Sequence, residues 1–410
     1  MLTWIRMTTV VVLLVAFFAC SISSAQQSLV GEWHAELKCP GGAIVFGLDV
    51  IESDDGYSGF FVNGSERIKI PVVSFDGKSG LIDVSHYDSR IEFKMVSAGK
   101  IEGRWTKRKG ANKYSNLEFM AALKQRPFKE TRDGSQYVGK WKTKFDSDSD
   151  HSVAVIKQAG ENRRMAGTFL TTTGDYRYLA GYLSEDKLTL SCFDGAHAFL
   201  FHIRSDGDKK ITGDFWSSDS WHDTFKGTLD PEVELPDAFN ETKVADAAAL
   251  GKLSFPDLDG KPTRLDDPKF AGKARIIYVF GSWCPNCHDA ADYFSKLEGA
   301  YKAKGLSILG LAFEHTGDFQ RDSEQVKKYL ARHESNYPVL IAGLSDKAEA
   351  SKSFPLLDRV RSYPTTIFLD RNNVVKAIHT GFTGPATGEA FTKQKQKFES
   401  IIEQLLKEGS

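Results

Sequence analysis

Short segments in which apolar and polar residues alternate fill the chain from about Ser28 to Leu229. In Leu81–Val84 and Ile91–Lys94, for example, every second side chain is apolar. Side chains of a β-strand point alternately to the two faces of its sheet, so each such segment would place one apolar face inward. Glycine, aspartate and asparagine turns separate the segments. This pattern predicts an antiparallel all-β region.

The all-β region contains a weak internal repeat. Three short motifs recur with nearly constant spacing, and the spacing drifts by no more than a loop insertion would explain. The recurring pairs are Gly31–Trp33 with Gly139–Trp141, Gly59–Phe61 with Gly167–Phe169, and Ile101–Gly103 with Ile211–Gly213. We therefore predict two tandem β modules, residues 28–125 and 135–230.

Each module begins with Gly-x-Trp, passes a Gly-x-Phe strand and closes on Ile-x-Gly-x-(Trp/Phe). This order resembles the small up-and-down barrels of avidin- and lipocalin-like proteins, and the resemblance implies a fold only. Aromatic side chains in such barrels either line a ligand cup or fill the interior. The tryptophans in question are Trp33, Trp105, Trp141, Trp216 and Trp221.

The pattern changes after the second module. Asp230–Leu250 carries six acidic residues against one lysine, together with Pro231 and Pro236. Such a composition is typical of a domain boundary, so residues 231–250 are predicted to form a solvated linker.

Residues 251–410 predict an α/β domain. The strands predicted from apolar runs are Ile276–Phe280, Leu306–Phe313, Tyr337–Ala342, Tyr363–Asp370 and Val374–Ile378, and the predicted helices are Asp289–Tyr301, Asp318–His333 and Phe391–Leu406. A helix connects the first two strands, so we expect them to be parallel, whereas a short turn makes the last two antiparallel.

The sequence Gly-Ser-Trp-Cys-Pro-Asn-Cys-His at 281–288 lies where the first of these strands gives way to a helix. The free N–H groups and the positive dipole end of a helix stabilise a thiolate, which favours Cys284 as a nucleophile. Cys287, one turn into the helix, could attack a mixed disulfide formed on Cys284. This placement predicts thiol–disulfide exchange.

The order β-α-β-α-β-β-α, with Cys-x-x-Cys after the first core strand and Pro364 heading a later one, resembles the thioredoxin fold. The segments Phe255–Lys261, Gly281–Cys287 and Tyr363–Asp370 are similar to the exported TlpA/ResA-type thioredoxins. The resemblance implies a cis-proline at Pro364, beside the cysteines, that presents backbone edges to an extended partner segment. The residues expected to shape this docking surface are Trp283, Pro285, Asn286, Tyr363 and Thr365.

Two positions depart from the proton chemistry that the resemblance implies. The family often has a glutamate three residues after the second cysteine, and this chain has Ala290 there. The buried aspartate of ordinary thioredoxins is replaced by Tyr278. Glu314, at the end of the second core strand, could approach the cysteines instead, and we give it the candidate role of proton acceptor. The alternative is a solvated loop carboxylate.

Other roles for the cysteine pair are less well supported. A zinc site needs further ligands at suitable spacing, and no second Cys-x-x-Cys or Cys-x-x-His follows, so we expect no metal and no cofactor. A peroxiredoxin-like peroxidase would want Thr-x-x-Cys where this chain has Gly-Ser-Trp-Cys. His288, His315 and His333 are expected to lie on the surface.

Composition and charge narrow the function further. The chain has 410 residues, 41% of them hydrophobic and 26% charged, and a formal net charge of −1. This near-neutral balance gives no bulk electrostatic argument for binding nucleic acid or an anionic membrane.

Residues 1–25 resemble a secretory signal peptide. An apolar run, Val10–Ala19, follows Arg6 and precedes small residues, and it is too short to span a bilayer. Lipidation at Cys20 is the alternative. Cys39 and Cys192 could pair in an oxidising compartment or could be separate buried thiols.

These observations predict an exported thiol–disulfide oxidoreductase of the periplasm or cell envelope. It would act on protein disulfides and draw electrons from a membrane thiol relay. It would have no transmembrane anchor once the signal peptide is removed. The alternative from another class is an envelope binding protein whose β modules hold a ligand or a partner.

Overall fold

The computed structural model describes residues 28–54, 56–123, 133–159, 164–207 and 209–408. The predicted signal peptide and Cys20 lie outside these ranges. In the described part of the chain, no helix is both long enough and apolar enough to cross a membrane.

The first module is a closed antiparallel barrel of eight strands. Each strand pairs with its neighbours in sequence, and β1 pairs with β8 to close the ring. The strands are β1 (Gly31–Cys39), β2 (Gly42–Ser53), β3 (Gly56–Asn63), β4 (Glu66–Phe75), β5 (Ser79–Val84), β6 (Ser89–Ser97), β7 (Lys100–Arg108) and β8 (Tyr114–Leu123). Side chains along β8 alternate between exposed and buried, as the hydrophobic pattern predicts.

The second module repeats this architecture. Strand β9 pairs with both β10 and β17, and β10 also pairs with β11, so the sheet again closes on itself. The strands are β9 (Gly139–Phe145), β10 (Ser152–Ala159), β11 (Arg164–Thr171), β12 (Gly174–Asp175), β13 (Leu179–Ser184), β14 (Lys187–Phe193), β15 (Ala198–Ser205), β16 (Lys210–Ser217) and β17 (Trp221–Leu229). The short strand β12 pairs with the end of β11 as a tight hairpin.

The internal repeat predicted from the sequence is confirmed in three dimensions. Gly31 and Gly139 open equivalent strands with φ values of +144° and +143°. The indole N–H of Trp33 donates to the carbonyl four residues earlier at 3.0 Å, and that of Trp141 does the same at 2.9 Å. The two modules therefore begin with the same backbone and side-chain geometry.

The tryptophans mainly fill the barrels. Trp33, Trp105 and Trp141 are buried in the barrel cores, whereas Trp216 is half-buried and Trp221 is 51% exposed. Further aromatic rings share the second core with Trp141. These rings occupy the space that a ligand cup would need, so the structure favours the packing role.

The two modules share part of their cores. Phe193 of the second module packs between Phe46 and Phe61 of the first, with ring centroids 4.6 and 4.9 Å away. The Ser191 hydroxyl donates to the Val45 carbonyl at 2.8 Å. Because this contact is a continuous apolar core, the modules form one body.

The C-terminal domain has the predicted α/β order. Its five-stranded sheet has the order β22-β21-β20-β23-β24. Strand β21 is parallel to both of its neighbours, β20 and β22, whereas β23 is antiparallel to both of its neighbours, β20 and β24. The elements are β18 (Ser254–Pro256), β19 (Pro262–Arg264), β20 (Ala274–Phe280), α1 (Pro285–Tyr301), β21 (Leu306–Glu314), α2 (Phe319–Arg332), β22 (Val339–Leu344), α3 (Lys347–Ser353), β23 (Thr365–Leu369), β24 (Val375–Thr380) and α4 (Glu389–Lys407).

Helix α1 begins four residues earlier than the sequence pattern predicts. Cys284 is its N-cap residue, and Pro285 occupies the first helical position. Proline is favoured there because its fixed φ suits the helix and its missing N–H would have no partner anyway. Both motif cysteines therefore belong to the first turn.

The connecting segment 231–250 is largely exposed, and a few of its residues anchor it to the rest of the chain. Val233 is buried, the Thr242 hydroxyl lies 2.7 Å from the Thr380 hydroxyl, and the N–H of Ala245 donates to Leu356 at 2.9 Å. Several of its acids accept backbone N–H groups; Asp237, for example, accepts from Phe239 at 3.0 Å. These acids stabilise turns that hold the segment on the C-terminal domain.

Replacing Trp141 with alanine should destabilise the second module by about 3–5 kcal/mol, because a buried indole is lost and a cavity is left. The matched control is Trp221→Ala, which should change stability by less than about 0.5 kcal/mol since that ring is largely exposed. Urea unfolding followed by circular dichroism measures both. Equal losses in the two variants would contradict the packing role of Trp141.

Candidate active site

The two motif cysteines lie between the end of β20 and the first turn of α1. Cys284 is 6% exposed and Cys287 is fully buried. The N–H of Cys287 donates to Cys284 Sγ at 3.3 Å, and Cys284 Sγ in turn donates to the Tyr363 carbonyl at 3.4 Å. Cys284 is thus the outer thiol of the pair.

The environment of the inner thiol opposes its ionisation. Burial raises the pKa of Cys287 well above its usual range, and the neighbouring Cys284 adds to the rise. The Tyr278 hydroxyl acts in the opposite direction on the same pKa. In this arrangement Cys287 remains a thiol.

The loop before β23 faces the outer cysteine. The Tyr363–Pro364 peptide bond is cis, as the resemblance to thioredoxins implies. The Pro364 carbonyl accepts from the N–H of Gly381 at 2.8 Å. Thr365, expected to shape the docking surface, is fully buried, and its hydroxyl donates to the Ser362 carbonyl at 2.8 Å. Its side chain therefore supports the loop from within.

Trp283 forms a half-buried wall beside the cysteines. Its indole N–H donates to the Phe313 carbonyl at 3.0 Å. The ring stacks on His315 with centroids 4.7 Å apart and meets Tyr363 edge-on at 5.5 Å. These contacts fix the orientation of the tryptophan next to the outer thiol.

The two residues between the cysteines are both buried. The side-chain amide of Asn286 donates to the Phe382 carbonyl at 3.4 Å, and it touches Gly174 of the second module. Pro285 and Asn286 thus face other parts of the chain in this arrangement.

Glu314 is fully buried and reaches the loop that leads to Cys284. Its two carboxylate oxygens accept the N–H of Ser282 at 2.8 Å and the Ser282 hydroxyl at 2.7 Å. Burial raises the pKa of Glu314 to about 8. The described hydrogen bonds of this carboxylate go to Ser282 and not to a cysteine. Because Glu314 is fully buried, the alternative of a solvated loop carboxylate is wrong.

Two tyrosines support the inner cysteine. The hydroxyls of Tyr278 and Tyr329 donate to the Cys287 carbonyl at 2.6 and 2.8 Å and lie 3.0 Å from each other. From the sequence, Tyr278 was notable only because it replaces the buried aspartate of ordinary thioredoxins, and Tyr329 was not identified as part of the site. The helical spacing of α2 marks Tyr329 as a core residue but gives no indication of the helix that it contacts.

The prediction of surface positions for His288, His315 and His333 is wrong, since all three are buried. His288 Nδ1 lies 2.6 Å from His333 Nε2, and His333 Nδ1 lies 2.6 Å from the Asp292 carboxylate. Burial lowers the pKa of His288 well below its usual range. The first module covers His288, whose ring lies 4.3 Å from that of Tyr87, whereas His315 stacks on Trp283 and His333 packs against Tyr329.

The first module also brings a lysine towards the cysteines. Lys107 is buried, and its ammonium donates to the Ala196 carbonyl at 3.1 Å. Burial lowers the pKa of Lys107 to about 8, while negative charge on Asp194 or Cys284 would raise it. No spacing in the sequence connects this module residue to the motif.

The other two cysteines are not part of the site. Cys39 and Cys192 are buried, and all four cysteines in the described ranges are free thiols. Burial raises the pKa of both. Within those ranges, no cluster of three or more histidine, cysteine or acidic side chains is placed to hold a metal ion.

Comparisons with known proteins identify similar domains. The Redoxin family model matches residues 233–392. The thiol-disulfide oxidoreductase ResA of Geobacillus thermodenitrificans is 29% identical over 163 residues, which cover 39% of this chain and 80% of that protein. The thioredoxin-like protein YneN of Bacillus subtilis is 26% identical over 141 residues, covering 34% and 75%.

Among solved structures, a putative thiol:disulfide interchange protein DsbE from Chlorobium tepidum is 21% identical to this chain. The match covers 38% of this chain and 92% of that chain, with a TM-score of 0.29.

The fold, the Redoxin match and the similar proteins identify the class: the chain is a thioredoxin-like thiol–disulfide oxidoreductase. The Redoxin match begins after the two β modules. The predicted likeness of those modules to avidin and lipocalins is not confirmed. The structure shows only that they are antiparallel barrels.

Glu314 should make stability depend on pH. Because its pKa is about 8 in the folded chain and near 4.5 when unfolded, the folded state holds a proton that the unfolded state releases between these values. Stability should therefore fall as pH rises through this window, by at most about 1.4 kcal/mol per pH unit. Urea midpoints at pH 5 and pH 8 measure the change.

The variant Glu314→Gln should lose this part of the pH dependence, whereas the exposed Glu324→Gln should keep it. Glu66 and Asp289, whose pKa values burial raises to about 7, remain in both variants and cancel in the comparison. Parallel pH dependences for wild type and Glu314→Gln would show that the carboxyl is not protonated when buried.

Proposed function

We propose that the chain is exported and reduces disulfides of cell-envelope proteins, with Cys284 as the nucleophile and Cys287 as the resolving thiol. The observation that carries the proposal is the asymmetry of the pair: Cys284 is the outer thiol, beside the cis-proline loop, and Cys287 is held behind it. The export part rests on the signal-peptide pattern of residues 1–25.

The proposed reaction has two exchanges. The Cys284 thiolate attacks one sulfur of a partner's disulfide, forms a mixed disulfide and releases the other partner sulfur as a thiolate. Cys287 then loses its proton and attacks Cys284 Sγ, which forms the Cys284–Cys287 disulfide and releases the second partner thiol. Two electrons pass to the partner, so a dithiol donor such as a membrane thiol relay must reduce the pair again.

The second exchange needs a proton acceptor for Cys287, and we assign that role to Glu314 acting through the Ser282 loop. Support comes from its burial, its two contacts with Ser282 and a pKa of about 8, which lies where thiols begin to ionise. Tyr278 cannot accept the proton, because burial holds its hydroxyl protonated by raising its pKa well above the usual range.

The binding-protein alternative is favoured by one observation. A cavity of about 650 Å³ lies between the second module and the C-terminal domain, lined by Val233, Phe239 and Phe382 among others. A ligand held there would bind equally well after both motif cysteines are replaced. The peroxidase alternative predicts reaction of Cys284 with hydrogen peroxide faster than with a protein disulfide.

Replacing Cys284 with serine should abolish reduction of insulin by the full chain, because no nucleophile remains at the outer position. Replacing Cys287 with serine should instead leave a mixed disulfide on Cys284, visible as a covalent adduct on non-reducing gels. Cys39→Ala is the control and should retain activity, since Cys39 lies in the core of the first module. Full activity in Cys284→Ser would contradict the proposal.

Glu314→Gln should change how the rate of insulin reduction depends on pH. In the wild type the rate should rise as Glu314 ionises near pH 8, and in the variant the rise should move to higher pH because Cys287 must then ionise unaided. Glu324→Gln serves as the exposed control. An unchanged profile in Glu314→Gln would remove Glu314 from the mechanism.

A further inference from the structure

The β11–β12 hairpin of the second module lies against the cis-proline loop. The Ser362 hydroxyl donates to the Thr173 carbonyl at 2.8 Å. The Thr173 backbone is so close to Gly381 that a Cβ atom on that glycine would lie 2.8 Å from the carbonyl carbon of Thr173. The tip of the hairpin, Thr172 and Thr173, therefore fits directly onto the loop edge.

The next two residues of the hairpin continue along the same groove. Gly174 touches the side-chain amide of Asn286, between the two motif cysteines. The Asp175 carboxylate accepts the N–H of Gly384 at 2.6 Å. The segment Thr172–Asp175 thus runs from the cis-proline loop across the motif to the start of the loop before α4.

The resemblance to thioredoxins implies that an extended partner segment docks along this cis-proline loop, beside Cys284. Gly381 donates its N–H to Pro364, and Cys284 Sγ donates to the carbonyl of Tyr363. A partner's disulfide must come within bonding distance of Cys284 Sγ, about 2 Å in the mixed disulfide. Only 6% of Cys284 is exposed, and Pro285 and Asn286 beside it are buried, so little of the thiol is open to such an approach in this arrangement.

Further contacts hold both modules in place around the motif. The Arg177 guanidinium, two residues after the hairpin, pairs with Asp289 on α1 and with Glu66 of the first module. The side-chain amide of Gln325 donates to the carbonyl of Ser85 at 2.7 Å. Because the modules share a core, the hairpin and these contacts would move together.

The contact between the modules and the C-terminal domain is not packed like a core. Cavities of about 550 and 650 Å³ lie along it, one lined by Met165 and Tyr178 and the other by Gly174 and Phe382. Contacts across it include hydrogen bonds and ion pairs, such as Ser362 to Thr173 and Arg177 to Asp289, which water can replace when the surfaces separate. An interface of this kind resembles those between domains that move relative to one another.

We propose that the Thr172–Asp175 segment occupies the partner's docking groove, so that the β modules close the redox site and an extended segment of the partner protein must displace the hairpin. The claim that a partner docks in this groove rests on the proposed function. The claim that the hairpin closes off Cys284 does not rest on it, because the accessibility of Cys284 can be measured without a disulfide partner.

The test measures how fast Cys284 of the reduced full-length protein reacts with iodoacetamide and with a 5-kDa maleimide–polyethylene glycol, with the labelled residue located by mass spectrometry. Ser362→Ala removes the hydrogen bond to Thr173. Both reactions should become about two- to tenfold faster, because the net free energy of one hydrogen bond changes an opening equilibrium by about that factor. Ser353→Ala is the control, since that hydroxyl donates to Ala350 at 3.1 Å within α3 and should leave both rates unchanged.

A second variant approaches the contact from the module. Asp175→Asn weakens the bond to Gly384 and leaves the cis-proline loop intact, so a similar acceleration excludes a local change in the loop as the cause. Wild-type labelling rates in both Ser362→Ala and Asp175→Asn would overturn the proposal. So would equal labelling of the native and the urea-unfolded wild type, because Cys284 would then be open.

Insulin reduction separates the two proposals. If the hairpin competes with the partner, the variants that label faster should also reduce insulin faster by a similar factor. Faster labelling with no insulin reduction in any variant would leave closure standing and contradict the proposed function. Faster labelling with insulin reduction fixed at the wild-type rate would show that partners do not use the groove, and would overturn the competition.

Discussion

A single buried guanidinium joins the three parts of the chain. Arg177 of the second module pairs with Glu66 of the first module, Asp194 of its own module and Asp289 on α1. Burial raises the pKa of Glu66 and Asp289 to about 7, and the guanidinium opposes that rise. A buried ion without partners costs several kcal/mol, so each part of the chain satisfies a charge that another part carries.

The position of Asp289 ties this ion cluster to the chemistry of the site. Asp289 follows Cys287 by two residues, so the same first turns of α1 carry the thiol pair and the anchor for both modules. His288, between them, packs against Tyr87 of the first module. The cysteines and the contacts that hold both modules therefore share the first turns of one helix.

Much of the architecture could be predicted from the sequence because it depends on local patterns. The alternation of apolar residues, the repeat of Gly-x-Trp and the strand–motif–helix unit each mark one element and its buried face. The wrong predictions, which placed His288 and His333 on the surface, concern contacts between distant segments. A histidine after Cys287 looks the same in sequence whether water or Tyr87 covers it, and nothing near Arg177 indicates that Asp289 is its partner.

Burial also controls the proton chemistry of the site. Burial is the largest cause of the raised pKa values of Cys287 and Glu314 and of the lowered pKa of Lys107. Charged forms are better solvated in water than in the interior, so burial favours the neutral form of each of these groups. Cys287 lies in the core of the C-terminal domain and keeps its proton there. Under the proposed mechanism it must lose that proton before it can attack the mixed disulfide on Cys284, and this is the step at which a buried carboxyl such as Glu314 matters.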